Sequence, residues 1–146
     1  MTVSINRPRV RNALDAQSHA KLHAAFDQLA ADPALRVAIL TGTGDRAFCV
    51  GSDLKDRAKT GGDSLPPTGF GGLCQRYDLW KPVIALVNGD CIGGGLELVL
   101  AADLVVAVPG ARFGLPEPRV GLAASGGLHR LARYIGMKQA MEIALT

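Results

Sequence analysis

A chain of 146 residues, 48% hydrophobic and 20% charged, is long enough to bury a core, and one domain spanning residues 1–146 is expected. Its net charge of +3 comes from scattered lysines and arginines, so neither nucleic acid nor a membrane surface is indicated, although an anionic small molecule would suit the bias. Three cysteines without a CxxC pair argue against a disulfide frame or zinc site; with no long apolar run and no signal-peptide layout, a cytoplasmic setting is expected.

TVSI (residues 2–5) is a short β-type run, read as the tail of a strand. Over residues 15–31, Leu14, Leu22, Phe26 and Leu29 fall on one helical face, with Asp15 placed as N-cap and Asp32-Pro33 as the stop. Residues 37–41 (VAILT), 82–87 (PVIALV) and 104–108 (LVVAV) are apolar throughout and of strand length. Separated by helical segments, they predict strands covered on both faces and an α/β fold. Residues 60–72 hold five glycines and two prolines and predict a mobile loop. Leu73, Tyr77 and Trp80 predict a helix stopped by Pro82. A further helix opens at the glycines and runs over residues 97–102, followed by two more near 126–135 and 138–145.

Gly93, Gly94 and Gly95 follow a strand and open a helix. Helix-opening N–H groups lack internal partners and sit at the electropositive end of the dipole, so an anion or a developing oxyanion is well placed there. Neither GxGxxG nor GxxxxGK[ST] is present. A second strand-to-helix turn with a glycine occurs at AFCVGSDLK (residues 47–55), and two such turns can aim one N–H each at a single oxygen. Tight helix packing is the plainer reading of either turn alone.

Two carboxylates accompany the glycines. Glu97 lies in the first turn of its helix, where the dipole favours it in any case. Glu117 sits between Pro116 and Pro118 among apolar neighbours; the prolines argue against a helical role, and the apolar setting favours a raised pKa and general-acid work. His19 and His23 stand four apart without an HExxH pattern and read as an exposed helical face, and no metal site is expected. Residues 123–127 (AASGG), around Ser125, do not form GxSxG. Cys49 and Cys91 are expected in the core, and Asp103 is expected to bond backbone.

These stretches together resemble the crotonase superfamily, the enoyl-CoA hydratase/isomerase family. NRPRVRNAL (6–14) is similar to its opening motif and AFCVGSDLK (47–55) to its first oxyanion segment. NGDCIGGGLELVLAADLVVA (88–107) resembles its second oxyanion segment and central helix, and ARFGLPEPRVGLAASGGLHRL (111–131) its second catalytic segment. The resemblance implies a crotonase-like spiral of ββα units. It implies an oxyanion hole from the backbone N–H groups of Ser52 and Gly94, catalytic glutamates at Glu97 and Glu117, and CoA contacts from Lys55, Arg9 and Arg11. The implied reaction is reversible hydration of a 2-enoyl-CoA, with no metal and no cofactor beyond the coenzyme A of the substrate. Alternatives are an enoyl-CoA isomerase, a carnitine-type dehydratase or racemase-like enzyme, or an inactive fragment. The family's chains run well past this length, so the resemblance also implies an incomplete first strand and a missing C-terminal helical region. Homotrimers or hexamers are the implied assembly.

Overall fold

The computed structural model describes residues 1–124 and 126–146. In chain order the elements are β1 (Thr2–Ile5), α1 (Ala16–Ala31), β2 (Ala38–Gly42), β3 (Ala47–Cys49), α2 (Leu54–Thr60), β4 (Val83–Val87), β5 (Asp90–Ile92), α3 (Gly94–Ala101), β6 (Leu104–Ala107), β7 (Phe113–Gly114), α4 (Gly127–Ile135) and α5 (Met137–Leu145). Single 3₁₀ turns occur at Pro8–Val10, Phe70–Gly72 and Glu117–Val120.

The apolar runs become one parallel sheet in the order β1-β2-β4-β6, and the short strands a second parallel sheet in the order β3-β5-β7. Chain order and spatial order together give the architecture. A long strand enters the first sheet, a short one enters the second, and a helix follows: β2-β3-α2, then β4-β5-α3. Repetition of that step advances the chain by one strand in each sheet, Leu40 pairing with Ala85 and Cys49 with Cys91. Parallel pairing needs such crossovers, and each one here passes through a strand-to-helix junction. The α/β class and ββα succession expected from the sequence are therefore present.

Between the layers lies one apolar core built on Phe26, Leu29, Leu40, Phe48, Val83, Val87 and Leu98. Helix α1 follows its periodicity: Leu22, Phe26 and Leu29 are buried, and Asp15 Oδ1 caps it by accepting the Ser18 N–H at 2.8 Å. Asp103 Oδ2 accepts the Val83 N–H at 2.8 Å, tying the start of β6 to β4 as expected. Cys49 and Cys91 are buried, and burial pushes the Cys49 thiol up to about 12.

Three expectations are corrected. Residues 73–81 form no helix: Tyr77 and Trp80 are 82% and 92% exposed. Left-handed backbone at Gly69, Gly71 and Gly72 breaks the chain just before that stretch, and the Arg76 Nε–H then fixes it by donating to Gly72 O at 2.9 Å. The glycine-rich segment is not a loop throughout, because residues 70–72 form a buried turn pressed on α1. Finally, β6 is not covered on both faces; all four residues are exposed, as the last strand of the first sheet.

Candidate active site

The two glycine turns meet. Gly51 has φ +89°, and a Cβ built on it would stand 3.0 Å from Gly94 N and 3.3 Å from Ile92 O. Only glycine lets the β3–α2 turn lie this close to the start of α3. Ser52 bridges Leu14 in parallel register: the Leu14 N–H donates to Gly51 O, and the Asp53 N–H donates to Leu14 O, both at 2.8 Å. In such a bridge the N–H of the middle residue points the other way, so the Ser52 amide is turned from Leu14. Gly94 is the first residue of α3, where an N–H has no partner within its helix. No loop, cap or side-chain acceptor among the described residues engages either amide. Both residues line a cavity of about 850 Å³.

The three consecutive glycines answer to three different contacts. Gly93 takes φ +59°, a conformation that side chains rarely adopt, and a Cβ there would lie 3.0 Å from Glu117 Oε1. A Cβ on Gly94 would meet the Phe70 ring at 2.4 Å, and one on Gly95 would meet Cys49 O at 2.0 Å. At positions 94 and 95 the missing side chain is thus required by packing, the plainer of the two readings. At Gly94 the amide and the packing face belong to the same residue.

Glu97 and Glu117 enter the same cavity. Glu97 is a buried residue of α3, and its Oε1 accepts the Gly126 N–H at 2.6 Å and the Gly127 N–H at 2.7 Å. Two donors on one oxygen tie α3 to the start of α4, whose first N–H groups need acceptors from outside the helix. Glu117 is half-buried and opens a 3₁₀ turn. Its flanking prolines therefore do not deny it helical geometry: Pro118 occupies an early position, where a missing N–H is harmless. Burial holds the Glu117 carboxyl above its ordinary value against a smaller, opposing backbone hydrogen bond, and the neighbouring Glu97 carboxylate adds the least of the three. Its Oε2 is buried with no partner among the described residues.

Lys55 also lines this cavity, at its exposed side. Arg9 and Arg11 do not. They border a separate cavity of about 260 Å³ with Arg46 and Gly44, and Arg11 is held in an ion pair with Asp90. Arg112 grips the same Asp90 with two hydrogen bonds of 2.7 Å, which keep its carboxyl below the ordinary range against a smaller effect of burial. His19 is not on an exposed face but 1% exposed, while His23 is partly buried and contacts Asp27. Ser125 lies outside the described residues. Among the described residues no group of three or more His, Cys, Asp or Glu side chains could hold a metal ion, and no helix is long and apolar enough to cross a membrane.

Two structural residues escaped the sequence reading. Arg7 bridges Asp15 at 2.9 Å and Asp53 at 3.0 Å, joining the caps of α1 and α2 behind the Ser52 turn. Asn12 is fully buried in left-handed backbone, and its Nδ2 donates to Thr43 O and Ala47 O at 3.0 and 2.7 Å. The usable signal for Asn12 was its side chain's tolerance of that conformation beside a polar run.

Parallel sheets fed by ββα steps, with two glycine turns and two glutamates gathered at strand-to-helix junctions, define an α/β protein of the crotonase-like class. The chain belongs to the enoyl-CoA hydratase/isomerase family, whose model matches residues 1–146. It is 47% identical to mevalonyl-coenzyme A hydratase from Beauveria bassiana, matching 99% of this chain and 56% of that protein. It is 40% identical to a carnitinyl-CoA dehydratase from Proteus mirabilis, over 100% of this chain and 57% of that one. Among solved structures, the enoyl-CoA hydratase EchA1 from Mycobacterium marinum superposes with a TM-score of 0.91 at 44% identity, covering 99% of this chain and 57% of that one. The chain thus spans somewhat over half the length of these relatives.

Proposed function

We propose that this chain carries the site of an enoyl-CoA hydratase, which adds water reversibly to a 2-enoyl-CoA. The single observation that carries the reading is the contact of the Gly51 turn with Gly94 N, in the cavity that also takes Glu97 and Glu117. In this reading the Ser52 and Gly94 amides hold the thioester oxygen and stabilise the charge it gains, a contribution of ~3 kcal/mol for each donor. Water then reaches Cβ as Glu97 takes its proton, while Glu117 delivers a proton to Cα. The raised Glu117 carboxyl supports the acid role, since a neutral acid near neutral pH is what that step consumes. Lys55 is the proposed contact to the CoA phosphates. Arg9 and Arg11, placed at another cavity, lose support for that role.

The chemistry uses only the substrate's own coenzyme A. The proposed setting is cytoplasmic, in the turnover of fatty acyl thioesters, with trimers or hexamers as the assembly. A second reading, dehydration of a hydroxylated, polar acyl-CoA, is favoured by the names of the mevalonyl- and carnitinyl-CoA relatives and by the Arg57–Asp63 ion pair lining the cavity. Incubation with crotonyl-CoA tests the first reading: hydration removes the conjugated-thioester absorbance, whereas an isomerase acting on a 3-enoyl-CoA creates it. Activity on 3-hydroxyacyl substrates with polar chains, without activity on crotonyl-CoA, would favour the second.

A further inference from the structure

Helix α1 carries one buried polar side chain that the proposed chemistry does not use. His19 shares a face with Leu22, Phe26 and Leu29. Its Nδ1 accepts the Gly71 N–H at 3.0 Å, and its ring meets Phe70 edge-on, with centroids 4.7 Å apart at 77°. Nδ1 accepts only while unprotonated, so the neutral ring carries its hydrogen on Nε2, an atom buried without a partner among the described residues. A leucine would fill this space without the unpartnered Nε2 but would strand the buried Gly71 N–H, so the imidazole calls for a reason.

That reason lies in the turn it holds. Gly71 and Gly72 adopt left-handed φ of 59° and 68°. A Cβ on Gly71 would lie 2.6 Å from Leu98 Cδ2 in α3, and one on Gly72 would lie 2.5 Å from His23 Cα in α1. The turn is wedged between the two helices, and its first residue, Phe70, presses its ring on Gly94. We infer that His19 is a positioning residue: through the Gly71 amide and the Phe70 ring it fixes the backbone of Gly94, and protonation of the imidazole releases that hold. The functional consequence rests on the proposed role of Gly94 as an amide donor. Charged groups face His19 from the loop after α2 (Asp63), from the cap of α1 (Asp15) and from α2 (Asp56); the Phe70–Gly72 turn brings none. Burial outweighs these carboxylates and holds the imidazole below its ordinary value, so the acceptor persists at neutral pH and release falls on the acid side.

His19→Asn offers an amide oxygen near the place of Nδ1, whereas His19→Leu keeps volume without an acceptor. In ¹⁵N-labelled protein without substrate, wild-type His19 is expected as the neutral Nε2–H tautomer. H19L is expected to speed exchange of the Gly71 amide about tenfold and to shift the Gly94 amide resonance, and H19N to keep both near wild type. With crotonyl-CoA, H19L lowers kcat more than it changes KM, and H19N recovers most of the loss. In the wild type, the Gly94 resonance is expected to move as His19 titrates. An Nδ1–H tautomer, a Gly94 resonance indifferent to that titration or to H19L, or an H19N protein that behaves as H19L overturns the inference. The wild-type tautomer and titration decide even if H19L does not fold. They need no substrate, so a chain inactive on crotonyl-CoA refutes the proposed function alone.

Discussion

Gly94→Ala separates two explanations of why this position is bare. Gly94 has no left-handed φ, so the backbone itself would accept alanine. The obstacle is space: the added carbon lands 2.4, 2.5 and 2.8 Å from three atoms of the Phe70 ring. Ordinary carbon contacts need roughly 3.5–4.0 Å, so the ring or the helix start must move by roughly 1 Å. Phe70 is buried and wedged against His19, which leaves little room to give. With the ring wedged in place, overpacking of this kind falls in the upper part of its usual range, about 2–3 kcal/mol, and the better helix propensity of alanine returns at most about 1 kcal/mol. The expected net loss is about 1–2 kcal/mol, or roughly 3–6 °C in Tm for a domain of this size.

The companion variants are Phe70→Leu and the double change. If the clash does the harm, the two changes couple favourably by about 1–2 kcal/mol in a double-mutant cycle, and turnover of crotonyl-CoA partly returns in the double variant. If instead the methyl blocks the thioester oxygen, the double variant regains stability but not turnover. Thermal denaturation and initial rates on all four proteins give the answer. An unchanged Tm in G94A alone would refute the packing argument.

Glu117→Gln should cut turnover by about 10²-fold or more while sparing thioester binding, as loss of a general acid does. Glu117 has its pKa raised from 4.5, so the folded state holds the proton more tightly than the unfolded one. Its stabilising contribution is complete below pH 4.5 and is lost as pH rises through the folded value. Urea midpoints of E117Q relative to wild type should therefore improve as pH climbs from 4.5 to 7.5, and a constant difference would contradict the shift. Glu97→Ala removes the acceptor of two N–H groups and should cost about 2–4 kcal/mol, whereas Glu97→Gln should keep most of that stability and lose activity; chemical denaturation with rate assays checks both. Val105→Lys, in the exposed strand β6, should lower self-association in sedimentation velocity without changing the circular dichroism.

Much of this architecture can be read from the chain because local pattern and tertiary demand agree. The face of α1 repeats at helical spacing and Asp15 caps it, so both survive intact. The glycines at 51 and 93–95 mark the close approach of turns to one another, and that approach builds the cavity. The failures occur where one signal admits two causes. Leu73, Tyr77 and Trp80 have helical spacing by coincidence, and the glycines before them had already set the chain in turns. His19 belongs to the buried face of Leu22, Phe26 and Leu29 and not to an exposed one; a polar side chain on an apolar face is itself the sign of a buried acceptor or donor. In β6, apolarity records what the strand requires and not what lies against it.

The placement of Glu97 links its proposed catalytic role to architecture more closely than that of either glycine turn. It lies one turn from the Gly94 amide on α3, and its carboxylate holds the first N–H groups of α4, which brings His129 and Arg130 to the cavity wall. Removing the side chain would therefore unseat α4 as well as the proposed proton acceptor, so Glu97→Ala does not separate chemistry from structure. Glu117 has no such double duty: its Oε2 meets no partner among the described residues, and its turn is held by backbone bonds such as the Leu122 N–H to Glu117 O at 3.0 Å. Of the two acids, Glu117 is the one whose replacement leaves the surrounding frame standing. A half-buried carboxyl whose Oε2 meets no partner among the described residues is costly to maintain, which fits the acid role proposed for it.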